Sequence, residues 1–157
     1  MGNKIHPIAF RLGPIYTWTS RWFSSKKLYK SLVLEDVQLR KSLMTKLRSA
    51  GIARVEIERS INRIGLTIYV ARPGVVIGRG GTGTEDLKKY IETTLLKIKP
   101  EDKNAPKVDI RVEQVKEPNL DAHLVATGIA DQLAKRLPSK RIMKQTIERV
   151  MTAGARG

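Results

Sequence analysis

Hydrophobic positions along this chain change period several times, and the changes mark its elements. Leu39, Leu43 and Leu47 recur every four residues with Met44 beside them, which predicts a helix over 35–50. Glu35 and Asp36 place negative charge in its expected first turn, and Gly51 supplies its stop. Residues 54–60 alternate, with Val55 and Ile57 inward and Glu56 and Glu58 outward. Ile64, Leu66, Ile68 and Val70 alternate again, and the short link through Asn62 joins the two as a hairpin. Arg72-Pro73-Gly74 ends the second strand, and Val75, Val76 and Ile77 form an apolar run too short to classify by period. After Gly78-Arg79-Gly80-Gly81, Thr82 and Glu85 have capping-box spacing for a helix carrying Leu87, Ile91, Leu95 and Ile98, closed by Pro100. Val108, Ile110 and Val112 make a third alternating strand. Asp121 caps a helix with Val125, Ile129 and Leu133 on one face, and Ser139 caps a last helix with Ile142, Met143, Ile147 and Val150 inward. Each strand is half polar, so the expected fold is α+β with helices on one sheet face, not a doubly wound parallel sheet.

Charge narrows the function. The 157 residues carry 30 Lys plus Arg against 15 Asp plus Glu, a net +15, which calls for a polyanionic partner. The surplus sits at the two ends. Residues 1–34 hold six basic residues and no acid, 101–134 lean acidic, and 135–157 hold seven bases against Glu148 alone. Six of the eight aromatics lie in the first 29 residues, which argues against a disordered tail. Interleaved cations and aromatics can grip phosphates and stack on bases, with Phe10 and Phe23 the aromatics expected to pin the segment to its own domain. An organelle transit peptide is the competing reading of such an acid-free start, and Pro7, Gly13 and Pro14 interrupt the amphipathic helix it would need. The absence of cysteine excludes disulfides and thiol chemistry, and two histidines exclude a histidine-rich metal cluster. His6 belongs to the basic segment; His123 is expected to face solvent or a neighbouring helix. Neither has the carboxylate and nucleophile neighbours of an enzyme, and no cofactor is expected.

The glycines of Gly78-x-Gly80-x-x-Gly83 match a dinucleotide fingerprint in letter only, because no buried parallel strand runs directly into them. Read instead as G-x-x-G between two helices, Gly78 to Gly81 let a nucleic-acid backbone approach the peptide, with Arg79 adding charge and Val75, Val76 and Ile77 an apolar floor. Aspartates at Gly78 and Gly81 should then weaken RNA binding with little loss of fold. Lys140, Arg141 and Lys144 share one side of the opening turns of the last helix, where cations oppose the macrodipole. A solvated basic face is the plain reading, and an anionic partner the functional one.

Taken in order, several motifs resemble one family. They are Lys4-Ile5-His6-Pro7, Phe10-Arg11-Leu12-Gly13, Ser20-Arg21-Trp22-Phe23, Ala71-Arg72-Pro73-Gly74-Val75-Val76-Ile77-Gly78-Arg79-Gly80-Gly81, Asp121-Ala122, Leu124-Val125-Ala126 and Gly154-Ala155-Arg156-Gly157. Together they resemble the bacterial-type family of small-subunit ribosomal protein three. The resemblance implies a basic N-terminal arm over 1–34, a type II KH domain (three-stranded sheet packed by helices) over 35–116, and the helical start of a C-terminal domain over 117–157 whose sheet portion is absent. It implies a place in the head of the small ribosomal subunit, in the cytoplasm or an organelle, with ribosomal RNA bound by the loop Gly78, Arg79, Gly80 and Gly81. The arm residues implied are Lys4, His6, Arg11, Trp18, Arg21, Trp22, Lys26 and Lys27. Lys140, Arg141 and Lys144 match the cluster lining the channel through which messenger RNA enters. Implied neighbours are small-subunit proteins ten and fourteen in the head and four and five at that channel, with no membrane. Two departures stand out: Gly80 replaces the family's usual lysine, and the family continues past Gly157 into a β-rich half. A free-standing KH protein of RNA processing or ribosome assembly is the alternative.

Overall fold

The computed structural model describes residues 2–96 and 106–156. A one-turn helix α1 (Pro7–Phe10) and a two-residue strand β1 (Ser20–Arg21) precede the long helix α2 (Lys26–Lys46). The hairpin β2 (Ile52–Ser60) and β3 (Arg63–Val70) follows, then α3 (Pro73–Ile77), α4 (Thr82–Tyr90), β4 (Lys107–Gln114), and the helices α5 (Ala122–Ala134) and α6 (Ser139–Thr152). The sheet order is β1-β2-β3-β4; β2 and β3 are antiparallel, and both outer pairs are parallel. A parallel β3–β4 pair requires a crossover, and α3 and α4 lie in that connection.

The expected alternation is realised in full on the hairpin. Val55, Ile57, Ile64, Leu66, Ile68 and Val70 are all buried, in one cluster with Leu39 and Leu43 of α2 and Leu87 and Ile91 after the loop. Burying a side chain of this size is worth about 1.5–3 kcal/mol, so this interleaved face dominates stability. The sheet of three expected strands gains a fourth, because the backbone N–H of Ile57 donates to the Thr19 carbonyl (2.9 Å) and draws Ser20–Arg21 onto the edge.

Several boundaries and faces differ from expectation. The helix predicted over 35–50 begins at Lys26 and ends at Lys46, with one 3-10 turn (Arg48–Ala50) before Gly51 at φ 69°. Glu35 and Asp36 therefore lie mid-helix, not in a first turn. Helix α4 is entered through Gly81, and Thr82 spends its hydroxyl on the Arg79 carbonyl (3.0 Å), so the expected capping box does not form. Pro138, not Ser139, precedes α6. Asp121 does cap α5, its Oδ1 accepting from the Leu124 N–H (3.0 Å). On α6 the inward residues are Ile142 and Thr146, with Val150 half-buried; Met143 and Ile147 face solvent, because α5 and the 3-10 turn Pro118–Leu120 cover only a narrow stripe. Ile98 and Pro100 lie outside the described residues, as does the side chain of Leu95. Arg48 of the 3-10 turn pairs with Asp131 of α5 at the exposed surface where the helical pair meets the sheet-bearing body.

Candidate nucleic-acid interface

The glycine loop is built by backbone geometry. Helix α3 stops where the Gly78 N–H returns to the Gly74 carbonyl (3.0 Å), and the chain then takes φ 69°, ψ −177° at Gly78, a region nearly restricted to glycine. Gly80 and Gly81 are also left-handed (φ 66° and 85°), and Arg79, between Gly78 and Gly80, is exposed. A Cβ on Gly80 or Gly81 would meet nothing within 4 Å, so a ligand backbone has room there. At Gly78 a Cβ would lie 3.1 Å from the Gly83 nitrogen. Aspartate at Gly78 would therefore strain the fold itself, contrary to the sequence expectation. The apolar floor is also smaller than expected: Val75 and Ile77 are exposed, but Val76 is buried in the core. No side chain caps the first turn of α4, whose entry faces this loop.

The N-terminal segment divides into two parts. Lys4, His6, Arg11, Trp18, Lys26 and Lys27 are exposed. His6 caps α1, its Nδ1 accepting from the Ala9 N–H at 3.4 Å. Arg21 is held by Glu56 (2.9 Å) and Glu58 (3.2 Å), and the Trp22 indole N–H donates to Asp36 (2.8 Å) while its ring tilts against Tyr29 (centroids 5.4 Å apart). Those two side chains fasten the segment to the sheet and to α2. Phe10 and Phe23, the aromatics expected to do that pinning, are 74% and 98% exposed. Trp22 pins instead because its indole carries a donor as well as a ring, and a buried acceptor awaits it.

That acceptor was not legible as a site. Asp36 is 5% exposed. Its Oδ2 accepts from Trp22 and from the Ser20 hydroxyl (3.1 Å), and its Oδ1 accepts from Arg59 Nε (2.8 Å), with Arg59 Nη2 at 2.6 Å. Arg59 also pairs with Glu35 (2.9 Å). One turn along α2, Arg40 donates to the carbonyls of Val55 (2.7 Å) and Thr19 (2.9 Å) and to Ser20 Oγ (2.6 Å). Burial pushes the Arg40 guanidinium below its ordinary value, and the Asp36 and Glu56 carboxylates oppose that shift. The signal in the sequence was an aspartate on the stripe of Leu39 and Leu43, three and seven residues before them.

Lys140, Arg141 and Lys144 are all exposed on the opening turns of α6, and none makes an ion pair among the described residues. The turn before them adds Lys135 and Arg136. Arg136 is the one non-glycine residue with positive φ (59°) among the described residues. Its N–H donates to the Leu133 carbonyl (2.9 Å) and that of Leu137 to the Gln132 carbonyl (3.4 Å), the pairing of a Schellman cap.

A glycine hinge between α3 and α4, set on a sheet with one open face, is the architecture of one RNA-binding module. The KH domain family matches residues 38–120. Similarity extends over the entire chain to the small ribosomal subunit protein uS3 of Desulfitobacterium hafniense, 45% identical over 157 residues that make up 67% of that relative. The uS3 proteins of Carboxydothermus hydrogenoformans and Lysinibacillus sphaericus are 44% and 43% identical over the same 157 residues, 67% and 68% of their lengths. The chain belongs to the uS3 family. The KH match runs from the middle of α2 to the 3-10 turn Pro118–Leu120, leaving the N-terminal segment before it and α5 and α6 after it. In this uS3 chain the fasteners Ser20, Arg21 and Trp22 lie outside the KH match, whereas their acceptors Glu56 and Glu58 lie inside it and Asp36 just before it.

Proposed function

We propose that this chain is a structural constituent of the small ribosomal subunit that binds its ribosomal RNA, working in the head of the subunit in the cytoplasm. Its part is to bind RNA and hold shape; it is not an enzyme. The observation that carries the reading is similarity to uS3 proteins from the first residue to the last, on a chain of net +15 whose KH hinge is open to a ligand backbone. Gly78, Arg79, Gly80 and Gly81 bring the peptide against ribosomal RNA, with Arg79 the cation of the loop. Lys4, His6, Arg11, Trp18, Lys26 and Lys27 add phosphate and stacking contacts, and Arg21 and Trp22 hold that segment in place. Lys140, Arg141 and Lys144 hold phosphates of the incoming messenger strand at the channel mouth. Small-subunit proteins ten and fourteen are its neighbours in the head and four and five those at the channel. No helix among the described residues is long and apolar enough to cross a membrane.

Sedimentation of a lysate through a high-salt sucrose gradient tests this. Co-migration with the small subunit at one copy per particle is expected. Recovery only in light fractions, bound to other RNA, would replace the proposal with a free-standing KH protein of RNA processing or assembly.

A further inference from the structure

We infer that Asp36 is a positioning residue for RNA binding: it latches residues 19–22 to the sheet-bearing body and so fixes where the cations on either side of that segment stand. The inference rests on the proposed RNA-binding role. Asp36 does not face a ligand; it is 5% exposed, and both its oxygens are occupied. Its Oδ1 is held by Arg59 of β2. Its Oδ2 takes the Ser20 hydroxyl and the Trp22 indole N–H, which among the described residues are the two donors to it from outside the helix and hairpin. Arg40 completes the latch from the same face of α2 by holding the Thr19 carbonyl and Ser20 Oγ.

The latch sits between two groups of exposed cations. Lys4 and Arg11 precede it, and Lys26, Lys27 and Lys30 follow it at the start of α2. The three lysines stand on α2 itself, but a loose segment bearing Lys4 and Arg11 would have to be ordered as it bound. Ordering each backbone residue is costly, and a segment already held near its bound position avoids much of that loss. A purely packing role for this cluster predicts a less stable protein with normal RNA contacts. A positioning role predicts that the N-terminal cations depend on the latch for their effect.

The test is a double-mutant cycle in the full chain, read as affinity for purified small-subunit ribosomal RNA and its salt dependence. Ser20→Ala with Trp22→Phe removes both donors from the segment and leaves Asp36 paired with Arg59. Lys4→Ala with Arg11→Ala removes two cations. We expect the first pair to weaken binding about tenfold, and the second pair to cost far less in the unlatched background than in the parent. Thermal unfolding confirms that each variant is folded at the assay temperature. If Ser20→Ala with Trp22→Phe is not folded there, Trp22→Phe alone takes its place in the cycle, with the same coupling expected. Additive losses, or unchanged affinity in the unlatched chain, overturn the latch while leaving the RNA-binding reading intact. A parent chain whose affinity is flat in salt overturns both.

Discussion

Replacing Gly83 with alanine gives the sharpest check on how the KH hinge is assembled. Gly83 is the second residue of α4, and a Cβ there would lie 2.5 Å from the Val76 carbonyl oxygen and 3.0 Å from that of Ile77. Both neighbours are backbone atoms of α3, so no side chain can swing aside; α4 must retreat from α3 by several tenths of an ångström. Forcing extra volume into a packed contact costs about 1–3 kcal/mol. Alanine recovers up to about 1 kcal/mol over glycine through helix propensity. An approach of 2.5 Å to a backbone atom belongs in the upper part of that range, about 2–3 kcal/mol, so after about 1 kcal/mol of recovery the net loss is about 1–2 kcal/mol, and at roughly 2–4 °C per kcal/mol for this chain length Tm falls by about 2–8 °C. Gly128→Ala in α5 is the matched comparison. A Cβ at Gly128 meets nothing within 4 Å, so that variant collects the propensity gain alone and melts higher than the parent. Circular dichroism melts at fixed salt read both. Because Gly83 also sits against Gly78, RNA affinity should fall in Gly83→Ala and hold in Gly128→Ala. A Gly83→Ala protein that melts at or above the parent would refute the close approach of the two helices.

Further outcomes follow from other parts of the molecule. Changing Lys140, Arg141 and Lys144 together to alanine should slow translation of hairpin-containing messengers with normal subunit assembly, and flatten the log–log salt slope for single-stranded RNA by about 2; equal rates on structured and unstructured messengers would count against the channel role. Arg136→Gly should raise Tm, since the left-handed conformation costs an L-residue about 1–2 kcal/mol that glycine escapes; a lower melting point would show that the arginine side chain contributes more than its strain removes. Arg79→Ala, at a position with no packing role, should reduce the salt slope by roughly 0.7 and leave Tm unchanged; an unaltered slope would remove Arg79 from the phosphate contacts.

The alternating strands, the apolar stripe of α2, the α5 cap at Asp121 and the glycine loop between two helices were legible because each depends on residues close in sequence. Period two places Val55, Ile57, Leu66 and Ile68 on one face whatever lies beyond them. The family motifs were legible for the same reason. What local pattern could not decide was pairing between distant segments. Ser20–Arg21 have no strand period of their own; they become a strand because β2 offers an edge and Asp36, Arg40, Glu56 and Glu58 offer partners 16 to 37 residues away. Asp36 reads as a helix-start acid until Arg59 and Trp22 close around it, for a buried carboxylate is tolerated only where several donors converge. The outward turn of Met143 and Ile147 likewise reflects how little of α6 its neighbour covers. Sequence alone set the periodic faces, the hinge and the cationic ends. Tertiary structure chose which polar groups would be buried together, because that choice is made by hydrogen-bond partners that only the folded chain brings within reach.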